Sequence, residues 1–172
     1  GGAGDFMAAE TPGTVTMVSI ITRRLKEGRT YEDFRRAWFH TTGFGLCGKD
    51  AMGNGNRMYS MINMFDPREV IVIGFNTATP GQLEEGLKIE VAFRGKNPLD
   101  EVIEPEIGRK FGLLVAEDDF SATGKISYRP ASVGGMETDP AQFFEDLRTV
   151  AGLVAAASVK RDAINEARKR TP

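Results

Sequence analysis

The run "TVTMVSIIT", residues 14–22, decides the architecture. Its β-branched residues favour an extended, pleated backbone. Alternation along a strand sends Val15, Met17 and Ile21 to one face and Val18 and Ile20 to the other. Both faces are apolar, so the strand needs cover on two sides. A second run, "VIVIGFN" at residues 70–76, has the same character, with Ile71, Ile73 and Phe75 opposing Val70 and Val72.

Working outward, residues 56–65, "NRMYSMINMF", form a strand before "VIVIGFN", and "DPRE" between them predicts a tight reversal with Pro67 at its second position. Between the first strand and this hairpin, Thr30 followed by Asp33 is a loose capping box. Tyr31, Phe34, Ala37 and Trp38 then share one helical face, and Gly43 is the expected stop. Thr79, Pro80 and Gln82 open a second helix, with Leu83, Leu87 and Val91 along its stripe. Arg94 to Phe120, punctuated by Pro98 and Pro105, reads as loop plus one or two short helices, and residues 122–128 as the last strand. Asp139 and Pro140 then start a helix that carries Phe143, Leu147, Val150 and Val154 and runs toward Arg168.

The order β-α-β-β-α, linker, β, helix predicts an α+β, ferredoxin-like split βαβ domain with a four-stranded antiparallel sheet and an added C-terminal helix. Residues 1–13, rich in glycine, are set aside as a disordered tail or expression remnant. Residues 14–129 form the domain, and residues 130–172 are the helical extension.

Composition narrows the function classes. The chain has 172 residues, 41% hydrophobic and 27% charged, which suits one folded domain rather than a disordered one. A formal charge of −2 gives no electrostatic case for a nucleic-acid binder. "VIVIGFN" also lacks the aromatic motif of RNA-recognition domains. One Cys and one His supply neither a disulfide nor a structural zinc set. The glycines of "GFGLCGKDAMGNGN" match neither phosphate-loop pattern and read as a lid-like loop. No metal or other cofactor is expected, no membrane span is evident, and a cytoplasmic location is the default.

Two helices cover one face of such a sheet and leave the other exposed. An identical sheet across a two-fold axis would bury it, giving a homodimer, with the C-terminal helix as the rival cover. The segment "YEDFRRAWFHTTGFG", the element order and the two-faced strands resemble the dimeric α+β barrel superfamily, which includes the antibiotic-biosynthesis monooxygenases and EthD-like proteins. Phe34, Arg35, Trp38 and His40 carry the EthD-like part of that resemblance, whereas Thr41, Thr42 and Gly43 stand where that branch usually continues with proline. The resemblance implies a small apolar or aromatic ligand held between helices and sheet, in many members without metal or flavin.

His40 is the candidate reactant, a general acid or base at a helix end; the competing reading is a cap that donates to the last carbonyls of its own helix. Trp38 reads as core that can also wall a pocket, and Cys47 as a small hydrophobe. Tyr59, Met61 and Asn63 are candidate ligand contacts on the hairpin, Asn63 being equally a structural bridge; Asn76 reads as turn chemistry. The expected function is a small-molecule-binding barrel, a cofactor-independent monooxygenase or isomerase acting on an aromatic or polyketide-like compound. The alternative is a non-catalytic ligand-binding or dimerisation module.

Overall fold

The computed structural model describes residues 13–38, 54–94, 98–120, 127–130 and 139–170. Its elements in chain order are β1 (Val15–Leu25), α1 (Tyr31–Ala37), β2 (Asn54–Asn63), β3 (Asp66–Ala78), α2 (Pro80–Arg94), a 3-10 turn (Pro98–Glu101), β4 (Ile103–Leu113), β5 (Ala116–Asp119), β6 (Ser127–Pro130) and α3 (Pro140–Arg170). β1 to β4 make one antiparallel sheet in the order β2-β3-β1-β4. The chain is therefore α+β, with a four-stranded antiparallel sheet and a C-terminal helix.

Four expectations change. The hairpin turns at Met64 and Phe65, because Asn63 pairs directly with Asp66 and Pro67 falls near the start of β3, where a strand tolerates a missing donor. The fourth strand of the sheet is Ile103–Leu113, within the segment expected to be loop and helix. Of the expected last strand, residues 122–126 lie outside the described residues, and Ser127–Pro130 pairs with β5 in a separate two-stranded ribbon. Helix α1 ends at Ala37: Trp38 has the extended backbone of a C-cap (φ −76°, ψ 123°), and the expected stop, Gly43, lies outside the described residues.

The helix starts follow the sequence signals. Thr30 accepts from the Asp33 N–H at 3.2 Å, and the Thr30 N–H donates to the Asp33 carboxylate at 2.9 Å. Thr79 and Gln82 repeat that box at α2, at 3.2 and 3.0 Å. At α3, Asp139 accepts from the Gln142 N–H at 3.1 Å. Each cap satisfies donors that a helix start leaves orphaned.

Register assigns the faces. Val15, Met17, Ser19, Ile21, Arg23 and Leu25 share one face with Val70, Val72, Gly74, Asn76 and Ala78, since cross-strand partners lie on the same side. All three helices sit on this face. Leu25, Val70, Val72 and Ile103 pack with Phe34, Ala37 and Trp38 of the α1 segment and with Leu99 and Val102 around the 3-10 turn. Val15 and Ala78 pack with Leu83, Leu87 and Val91 of α2 and with Val150, Val154 and Ala157 of α3. The C-terminal helix thus joins α2 in the core and is not the cover of the opposite face.

That opposite face carries Val18, Ile20, Ile71, Ile73, Phe75, Tyr59 and Met61, with the exposed Arg57 beside Phe75 and Lys110 beside Ile20. Tyr59 is 48% exposed, Met61 42% and Ile20 36%. At one end it is closed: Thr16 and Thr77 are buried and their hydroxyls lie 2.8 Å apart.

Candidate functional site

Helix α1 positions the aromatic part of the helix-covered face. The Phe34 and Trp38 rings stack with centroids 5.7 Å apart, and both are buried. The Arg23 guanidinium lies 5.7 Å from the Phe34 ring centre and that of Arg35 5.3 Å from the Trp38 ring centre, so a cation meets each aromatic ring. The Trp38 N–H closes the helix on the Phe34 carbonyl at 2.9 Å. Trp38 is thereby a core residue and the last residue of the α1 capping unit.

The two core clusters leave a band of sheet between them. Across it run Met58, Gly74, Ser19 and Phe111, one from each strand in register. Met58 and Phe111 are exposed, Ser19 is half-buried and Gly74 is buried. Gly74 makes room for its neighbours here: a Cβ at this position would stand 2.9 Å from the Ser19 hydroxyl, which would have to rotate away, and 3.5 Å from the Met58 methyl. The next row toward α2 holds Asn76, Met17 and Leu113, and the next toward α1 holds Ser60, Val72, Ile21 and Arg109.

Asn76 is the polar residue of its row. Its Oδ1 is buried and has no hydrogen-bond partner. An unmet buried polar atom costs about 1–3 kcal/mol, so it calls for a reason. The sequence reading missed it by placing Asn76 in a turn. Its parity with Val70 and Val72 was the available signal, because that parity puts a carboxamide on the covered face.

The hairpin candidates fall elsewhere. Tyr59 pairs with Ile73 and Met61 with Ile71, which places both on the face opposite Trp38; the Tyr59 ring meets Phe75 edge-on at 6.1 Å. The sheet separates them from Trp38, so these residues do not line one cleft. Asn63 is a bridge within the hairpin: its Nδ2 donates to Glu69 at 3.0 Å and its Oδ1 accepts from the Phe65 N–H at 2.8 Å. His40 and Cys47 lie outside the described residues.

Two charged groups on helix surfaces are shifted by their neighbours. The Asp33 carboxyl is held below its ordinary value by the Thr30 backbone N–H, with further help from the Thr30 hydroxyl and Arg36. Lys88 is raised by its hydrogen bond to Glu85 and by the charges of Glu85 and Glu84. Among the described residues, no three His, Cys, Asp or Glu side chains gather as a metal site, and no helix is long and apolar enough to cross a membrane. The band between the cores thus offers neutral polar groups, thioethers and an aromatic ring, with Arg109 one row away.

No family model, curated protein or solved structure matches the chain.

Proposed function

We propose that this chain is one subunit of a face-to-face homodimer, a dimeric α+β barrel of ferredoxin-like subunits, that binds a small aromatic or polyketide-like molecule between its helices and its sheet. The observation that carries the reading is the apolar sheet face formed by Val18, Ile20, Ile71, Ile73, Phe75, Tyr59 and Met61, while α1, α2 and α3 all take the other side. The element order β-α-β-β-α-β through β4, with strand order β2-β3-β1-β4, supports it as the split βαβ plan. On this reading Tyr59 and Met61 are dimer contacts, and the ligand lies on the helix side with Trp38 behind it in the core.

For catalysis as a cofactor-independent monooxygenase or isomerase, His40 is the proposed general acid or base, moving a proton on a phenol or an activated carbon. The experiment is a screen of hydroxylated aromatic compounds for binding and turnover, with His40→Ala as the control. A catalytic site predicts binding, turnover in the parent protein and a loss of turnover on the order of 100-fold in the variant. A second reading, a non-catalytic ligand-binding or dimerisation module, is favoured by the separation of Tyr59 and Met61 from Trp38 across the sheet. It predicts binding or dimerisation with no turnover, and no effect of the His40 change on either.

A further inference from the structure

We propose that the outer edge of β2 pairs with the same edge of a second copy of this chain, antiparallel and centred on Ser60, joining two four-stranded sheets into one of eight strands. This contact goes beyond the face-to-face dimer and uses a different surface.

The first support is that the edge is open. Among the described residues, β2 lies at the end of the order β2-β3-β1-β4 and pairs with β3 alone. An outer strand presents backbone N–H and C=O groups ready to extend the ladder. The two edges of this sheet differ. β4 carries Glu104, Pro105, Glu106, Arg109 and Lys110, the charges and proline that discourage such pairing. Within β2 the one charge is Arg57, and Met58, Tyr59, Met61 and Ile62 are exposed. Those four occupy both faces: Met58 and Ile62 stand beside Gly74 and Val70 on the helix side, Tyr59 and Met61 beside Ile73 and Ile71 on the other. A second sheet laid on the open face would cover only Tyr59 and Met61, whereas a neighbouring strand reaches both pairs.

The second support is the sequence, which names the occupant. A two-fold axis normal to the sheet keeps the helices of both copies on one side. Opposite residues then share a face, so the axis passes through a single residue. Centred on Ser60, Tyr59 meets Met61 of the second copy and Met58 meets its Ile62, so apolar faces apolar on both sides of the sheet. Centred on Tyr59, Met58 would face Ser60 and Arg57 would face Met61; centred on Met61, Ile62 would face Ser60 and Tyr59 would face Asn63. The Ser60 centre also sets Arg57 opposite Asn63 and keeps the two Arg57 charges about 20 Å apart along the strands. A strand that reads alike from both ends is complementary to itself.

The third support is the extent of the ladder. Register shifts lie between Asn54 and Arg57 and between Ile62 and Asn63, so the regular stretch of β2 is residues 57–62. Such irregularities terminate pairing and confine the contact to this window. A ladder of that length falls far short of the roughly 1,000 Å² of a stable interface, so it forms as concentration rises above the micromolar range.

The experiment is disulfide formation in the full chain carrying Cys47→Ser, oxidised by glutathione disulfide at near-millimolar protein and followed by intact mass. Ser60→Cys places a thiol opposite its own copy, within the span that a disulfide bridges. Met58→Cys and Ile62→Cys each face a different residue, and so face one another only when the two variants are mixed. All three positions lie on the helix side, so a face-to-face dimer does not bring them together. Met58 and Ile62 are exposed and Ser60 is half-buried, so random collision would link the first two sooner. The expected result is Ser60→Cys linking at least about tenfold faster than Met58→Cys or Ile62→Cys alone, because pairing makes the step intramolecular. An equimolar mixture of those two should approach the Ser60→Cys rate.

Met58→Cys or Ile62→Cys alone linking as fast as Ser60→Cys overturns the proposal. Absence of linking in Ser60→Cys does the same, and either result leaves the face-to-face dimer standing. If a cysteine variant does not fold, hydrogen exchange of the parent decides: β2 peptides should gain protection between micromolar and near-millimolar protein while β4 peptides do not. Unchanged exchange in β2 refutes the edge contact.

Discussion

Gly74 and Ser19 show how a single position shapes the helix-covered face. Gly74→Ala would force the Ser19 hydroxyl from its place 2.9 Å from the new methyl, at a cost of about 1–3 kcal/mol for an overpacked site. Chemical denaturation should find the midpoint lowered with the slope unchanged. Thr30 gives a second test, since its hydroxyl caps α1 through the Asp33 N–H. Thr30→Ala should cost about 1 kcal/mol. The pH dependence follows from Asp33, whose folded carboxyl titrates below its ordinary 3.8. A lowered value means that the ionised form is favoured by folding, so the contribution is present above 3.8 and lost as pH falls through the folded value. Asp33→Asn should flatten stability against pH in that acid window; an unaltered profile would assign the acid loss to other carboxylates. These capping residues were legible because a cap is a local pattern. Trp38 was legible as core from its spacing with Phe34, but the loss of contact between Trp38 and the pair Tyr59 and Met61 was not. Parity tells which residues share a face, whereas which face the helices take is a tertiary choice.

Helix α3 is the element whose removal says most. Phe143, Leu147, Val150, Val154, Ala157, Arg161 and Ile164 follow one another at steps of four and three, and each is buried or half-buried. The seam extends well past α2, because 31 residues make a helix of about 46 Å against about 22 Å for the 15 of α2. Deleting residues 139–172 would bare Leu83, Leu87 and Val91 of α2, so the truncated chain should lose cooperative unfolding rather than merely change its association. Circular dichroism through a thermal ramp measures it, and a sharp transition near that of the full chain would show the α2 face to be self-sufficient. Leu83→Ala probes the same cluster without truncation and should cost about 2–5 kcal/mol, because Leu83 is almost fully buried between the sheet and both helices. The capped helices α2 and α3 could be read directly from residues, since periodicity and caps agree there. β4 could not. Pro105, Gly108 and Gly112 interrupt it and Glu104, Glu106, Arg109 and Lys110 charge it, features that a central strand would not bear but an edge strand does. Its strand character is conferred by β1, which supplies the pairing along its length. The hairpin turn was misplaced for a related reason: Pro67 signals a reversal, yet Asn63 and Asp66 close the ladder before it, with Arg24 and Asp66 paired across the adjoining strands.

At the scale of the molecule, the question is what the apolar sheet face is for. Strand spacing and rise give its seven apolar residues a footprint of roughly 230 Å², so the case for a contact surface rests on their continuity across β2, β3 and β1 rather than on area. On the β4 side Gly108 and Gly112 flank Lys110 opposite Thr22, Val18 and Ile20, and a Cβ at Gly108 would come within 2.2 Å of the Thr22 hydroxyl. Two such faces related by a two-fold axis would set Ile20, Ile73, Tyr59 and Met61 against their own counterparts, as the proposed dimer requires. The C-terminal helix does not compete, since Val150, Val154 and Ala157 are committed to α2 on the other side. Light scattering at micromolar concentration should therefore give twice the chain mass. Ile73→Asp places a carboxylate at the middle of the face, next to Ile20 on one neighbouring strand and Tyr59 on the other, where it would have to be desolvated in the dimer but is wetted in the monomer. The variant should run at the mass of one chain while keeping the circular dichroism of the parent, because its effect falls on association and not on the helix-covered core. A parent protein that is already monomeric at that concentration, or a variant that stays dimeric, would move the interface off this face and with it the barrel.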